Sequence, residues 1–133
     1  MKFLHKLLAS YFLLIISTSA FAEQQDWAFV WVTSGSGAYD VQQGTAKVTI
    51  ENGQINAAMA STDGVEYKIV GSIKGQSVKV KFTVLNSDYF NNSPFSGSYI
   101  KKLWSGFADS KGRESISLTD GWNFIGLTRE IKP

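Results

Sequence analysis

GTAKVTIENGQINAAMASTDGVEYKIVGSIKGQSVKVKFTV, residues 44–84, decides the fold. Asn52-Gly53, Asp63-Gly64 and Lys74-Gly75 follow one another at a constant interval of 11 residues, and Asn86-Ser87 comes one step later. Such dipeptides tolerate the positive φ angles that tight hairpin turns require. Between them the residues alternate. Ala46, Val48 and Ile50 share one face of an extended strand, with Thr45, Lys47, Thr49 and Glu51 on the other, because successive strand side chains point to opposite faces. The pattern returns in Ile55, Ala57 and Met59, in Val65, Tyr67 and Ile69, and in Val78, Val80, Phe82 and Val84. The stretch is therefore an antiparallel meander.

Working outward, the meander extends in both directions. A first strand spans about Asp26 to Thr33, with Trp27, Phe29 and Trp31 on one face and Ala28, Val30 and Val32 on the other, so both faces are apolar. Ser34 to Asp40 is expected to be a loop, followed by Val41-Gln42-Gln43. Further strands are expected over Phe95 to Trp104, Glu114 to Thr119 and Asn123 to Ile131, with turns at Asp109 to Gly112 and at Asp120-Gly121. No segment shows the period and caps of a helix. Eight sequential strands leave two open edges unless the sheet closes, and open edges invite aggregation. Neither proline, Pro94 or Pro133, is placed inside a strand to protect one. The expected fold is all-β: an up-and-down meander of about eight strands closed into a small barrel, with a two-sheet sandwich as the alternative.

Strand count and order resemble the architecture of lipocalin-like and avidin-like barrels. Phe82-Thr83-Val84 through Ser96-Gly97-Ser98-Tyr99 is similar to the fifth and sixth strands of avidins, but Leu85 stands where a biotin-stacking tryptophan belongs. Biotin binding is therefore not carried over.

Residues 1–22 read as a cleaved secretory signal, with Lys2 and Lys6 ahead of the apolar run Leu7 to Ile16 and a small-x-small site at Ala20-Phe21-Ala22. The run is too short to span a bilayer, which takes about 20 residues, so no membrane anchor is expected after cleavage. Residues 23–133 then form a single barrel domain in the periplasm or outside the cell. Of 13 basic and 11 acidic residues the signal holds two lysines and no acid, leaving 11 of each. A formally neutral domain has no electrostatic case for nucleic acid. Cysteine is absent, so the core holds without disulfides.

The lone histidine, His5, lies in the signal. Without histidine or cysteine the domain builds no Ser-His-Asp or Cys-His site and no imidazole or thiolate zinc site. No cofactor is expected. A carboxylate pair or a serine-lysine arrangement is the chemistry left for an enzyme, and most acids are accounted for otherwise. Asp63 and Asp120 precede turn glycines, while Glu51, Glu66 and Glu114 are assigned to polar strand faces. Asp40 and Asp88 are expected in loops beside aromatics.

Two features point to binding instead. The connection Asn86 to Pro94 is long for this meander and presents Tyr89 and Phe90 among small polar residues, the composition of adaptable recognition loops. Alternatively one of these aromatics folds back as a lid. The second feature is aromatic content: Trp27, Trp31, Trp104 and Trp122. The candidate binding residues are Trp31, Tyr39, Asp40, Tyr89, Phe90, Tyr99 and Trp104. The function expected is a non-enzymatic binding protein acting on a protein partner through loops at one barrel end, of inhibitor or immunity type. The alternative is a carrier of a small apolar or aromatic ligand, with a cavity left by small inward residues such as Ala57 and Gly71. A carboxylate enzyme comes third. The apolar outer face of strands one and eight is expected to be covered, by a homo-oligomer or by a partner.

Overall fold

The computed structural model describes residues 23–35, 38–104 and 111–131. The signal-like segment lies outside them. Eight strands follow in order: β1 (Gln25–Gly35), β2 (Ala38–Glu51), β3 (Gln54–Ser61), β4 (Glu66–Lys74), β5 (Ser77–Val84), β6 (Ser93–Trp104), β7 (Lys111–Thr119) and β8 (Phe124–Ile131). Each pairs antiparallel with the next, and β1 pairs with β8 from Ala28↔Thr128 to Val32↔Phe124. The sheet is a closed barrel, and no helix occurs among the described residues.

At the seam, one face of β1 and one face of β8 turn into the core. Trp27, Phe29 and Trp31 point inward and are at most 4% exposed, as are Ile125 and Leu127 of β8. Inward residues of β2 to β7 continue this core: Val48, Ile55, Met59, Ile69, Val78, Phe82, Ile116 and Leu118. The Asn52-Gly53 turn has φ of 51° and 73°, the pair of positive angles that a two-residue hairpin demands. Inward glycine does not leave a vacancy. A Cβ on Gly71 would stand 2.1 Å from the Lys79 carbonyl oxygen, so β5 backbone already occupies that space.

Four expectations are corrected. Ser34, Gly35 and Ala38 to Asp40 are strand and not loop: β1 and β2 stay paired through Thr33↔Asp40, Ser34↔Tyr39 and Gly35↔Ala38, while residues 36–37 lie outside the described residues. The Ser34 hydroxyl donates to the Trp122 carbonyl at 2.5 Å and its amide to Asn123 Oδ1 at 3.2 Å, tying the end of β1 to the β7–β8 turn. Pro94 lies within β6, opposite Lys81. Lys111 and Gly112 belong to β7 rather than to a turn, while Asp109 lies outside the described residues. Glu114 is not on a polar face: it is 4% exposed and points inward. Its parity with Ile116 and Leu118 required that.

Candidate functional site at the loop end of the barrel

The connections β1–β2, β3–β4, β5–β6 and β7–β8 all emerge at one end, here the loop end. The β5–β6 connection is the longest of them among the described residues, spanning 85–92. It folds back: Phe90 stands edge-on to Trp31 with centroids 5.1 Å apart at 88°, and 5.9 Å from Phe82. Phe82 in turn meets Trp31 at 4.8 Å, Phe95 at 5.3 Å and Tyr67 at 5.9 Å. These spacings are those of favourable aromatic pairs. The upper interior is a stack of rings with Phe90 as its plug. Val84 donates its amide to the Phe90 carbonyl at 2.9 Å, which fixes the plug to β5.

The adjacent residue faces the other way. Tyr89 is 89% exposed, and Trp122, across the end in the β7–β8 turn, is 78% exposed. The turn beneath Trp122 is rigid, because Asp120 accepts hydrogen bonds from the Trp122 and Asn123 amides at 2.9 and 2.7 Å and from Asn123 Nδ2 at 2.9 Å. Burial alone raises the Asp120 carboxyl, but the bonds from Asn123 and Trp122 outweigh it and hold it below its ordinary 3.8.

A polar quarter completes this end. Ser61, 6% exposed, donates to Asp63, and with its side-chain nitrogen turned toward Asp63, Gln42 donates to both carboxylate oxygens at 3.0 Å. Burial raises the Tyr67 hydroxyl above its ordinary 10.0; the Ser61 bond opposes this, and the Asp63 and Asp40 carboxylates add to it.

A second polar cluster sits toward the opposite end. The Tyr99 hydroxyl donates to Glu114 Oε2 at 2.6 Å, Arg129 pairs with Glu114 Oε1, and the guanidinium lies 5.8 Å from the Trp27 ring centroid. All three side chains share the inward parity of their strands. Burial pushes the Tyr99 hydroxyl up to about 12, and Glu114 adds to this because its carboxylate accepts a hydrogen bond from the neutral hydroxyl and its charge disfavours a phenolate. The carboxylate is already engaged on both oxygens, so this cluster reads as an internal brace. Arg129 Nε has no hydrogen-bond partner among the described residues.

The seven sequence candidates therefore divide. Trp31 and Phe90 meet in the aromatic plug. Tyr89 and Asp40 are exposed at the loop end, although Asp40 stands on β2 rather than in a loop. Tyr99 belongs to the brace. Tyr39 and Trp104 are placed by the backbone alone, opposite Ser34 and Lys111, and their side chains lie outside the description. Trp122, Glu114 and Arg129 were not among the candidates. Strand parity was the signal for the last two, and a bulky aromatic directly after Asp120-Gly121 was the signal for the first.

Grooves of about 610, 400 and 280 Å³ are lined by described residues of the strands and their connections. Among the described residues no group of three or more His, Cys, Asp or Glu is arranged to hold a metal. No protein family, curated protein or solved structure matches the chain.

Proposed function

We propose that this is an exported, non-enzymatic binding protein that engages a protein partner, of the inhibitor or immunity type, through the loop end of its barrel. The observation that supports this most is the division of labour between neighbours. Phe90 plugs an interior filled with rings, and Tyr89 and Trp122 stand in solvent above it. Exposed tyrosine and tryptophan on a rigid frame supply large contact area at low entropic cost, which is why they dominate binding hot spots. A carrier of a small apolar ligand draws less support, because Trp31, Phe82, Phe90 and Phe95 already touch one another where the ligand would sit.

The test uses the exported protein immobilised against envelope extract. A captured protein should be lost with Tyr89→Ala plus Trp122→Ala at an unchanged unfolding midpoint. Capture that ignores both substitutions removes the loop end from the function.

A second contact is supported by the outer wall at the seam. Val41, Val32 and Phe124 form one row across β2, β1 and β8, with Val41 and Phe124 more than half exposed. Outward charges are absent from this row. A second copy of the chain, meeting it through the same row, covers it without bringing like charges together.

A further inference from the structure

Charge is distributed unevenly between the two ends of the barrel. The four connections and flanking residues of the loop end, 33–41, 61–67, 84–95 and 119–125, contain Asp40, Asp63, Glu66, Asp88 and Asp120 and no lysine, arginine or histidine. Among the described residues the basic ones therefore lie on the wall or toward the other end; Lys68, Lys79 and Lys81, for example, are exposed on the wall of β4 and β5. A domain that is neutral as a whole is thus strongly polarised.

We propose that the partner engaged at the loop end is a basic protein surface, held by exposed Tyr89 and Trp122 and oriented by the surrounding carboxylates. This rests on the loop end being the binding surface. Three considerations select that partner. The sign is uniform over all four connections, so an acidic surface, a nucleic acid or an anionic membrane would meet repulsion from each of them. Scale is the second. Eight strands spaced about 4.8 Å apart and tilted about 40° enclose a barrel roughly 16 Å across, so carboxylates on four separate connections face an extended surface rather than converging on one small cation. The third is burial. Asp40, Glu66 and Asp88 are exposed, and none of them has a salt bridge within the chain among the described residues, so each is free for a cationic group in trans. Rim charges of this kind contribute little each, typically under about 1 kcal/mol, and act together on encounter rate and orientation.

The test measures binding of two purified probes, the cationic protein cytochrome c and the acidic protein α-lactalbumin, to the exported protein. Cytochrome c should bind and α-lactalbumin should not. Raising salt from about 20 to about 200 mM should weaken cytochrome c at least tenfold, since the screening length falls from about 20 Å to about 7 Å. Asp40→Asn, Glu66→Gln and Asp88→Asn combined should cost at least tenfold, whereas Lys68→Gln, Lys79→Gln and Lys81→Gln combined should not weaken binding. None of these three carboxylates makes a hydrogen bond or salt bridge among the described residues, and the circular dichroism spectrum should be unchanged. Equal binding of the two probes, or an amide variant that binds cytochrome c as wild type does, overturns the proposal. The two readings fail separately. An envelope protein whose capture needs Tyr89 but is indifferent to salt and to the amide variant leaves the loop end as the binding surface and overturns the basic partner. Capture independent of Tyr89 and Trp122 overturns the loop-end reading itself.

Discussion

The Tyr99 hydroxyl lies 2.6 Å from Oε2 of Glu114, a residue 4% exposed, and Arg129 takes the other carboxylate oxygen. Removing one member of a buried ion pair leaves the other uncompensated, at a cost of about 3–5 kcal/mol. Glu114→Ala should therefore destabilise the barrel by about that much in urea titration. Glu114→Leu combined with Arg129→Leu should recover most of the loss. If the double variant is as damaged as the single one, the pair stabilises by more than mutual compensation.

The same bond makes a pH prediction. Tyr99 is raised to about 12 from 10.0, so the folded state holds its proton more tightly than the unfolded chain does. Its contribution is fully present below pH 10 and is lost as pH rises toward 12. Unfolding midpoints recorded across that window should fall, and Tyr99→Phe should flatten the fall. An equal decline in wild type and variant assigns the loss to other groups.

Phe90 and Tyr89 should separate cleanly. Phe90→Ala removes the ring packed against Trp31 and should cost about 2 kcal/mol, below the 3–5 of a fully buried phenylalanine because Phe90 is only half-buried. Tyr89→Ala should lie within about 0.5 kcal/mol of wild type, as surface changes do. Guanidinium unfolding of the two single variants decides it, and similar costs for both make Tyr89 part of the plug.

Phe124 tests the seam. Phe124 is 56% exposed and pairs with Val32. Sedimentation velocity should show concentration-dependent self-association of wild type that Phe124→Lys abolishes, with the unfolding midpoint unchanged. Wild type that stays monomeric at every concentration removes the second copy from this face.

Export can be read directly. The amino terminus of protein recovered from the periplasm should be Glu23, and large residues in place of Ala20 and Ala22 should accumulate precursor, because signal peptidase needs small side chains there. Intact mass of the recovered protein is the measurement.

Local alternation and turn chemistry were enough to place eight strands in order and to put Trp27, Phe29 and Trp31 on one face of β1, because strand parity and hairpin turns are set by neighbours within a few residues, but with both faces apolar only the structure shows which one turns inward. Parity also contained Glu114, whose burial runs against the usual exposure of glutamate, and it outweighs that preference when Ile116 and Leu118 share the face. What local pattern does not contain is the pairing of residues far apart in the chain. The register at which β1 closes on β8, the capture of Ser34 by the β7–β8 turn, and the meeting of Glu114 with Tyr99 and Arg129 depend on strand pairing around the whole barrel. So does the choice between Tyr89 and Phe90. Both are aromatic residues of one loop, and the one that plugs the barrel is the one whose backbone is held to Val84 beneath the Trp31 ring, a geometry that exists only once the sheet has closed.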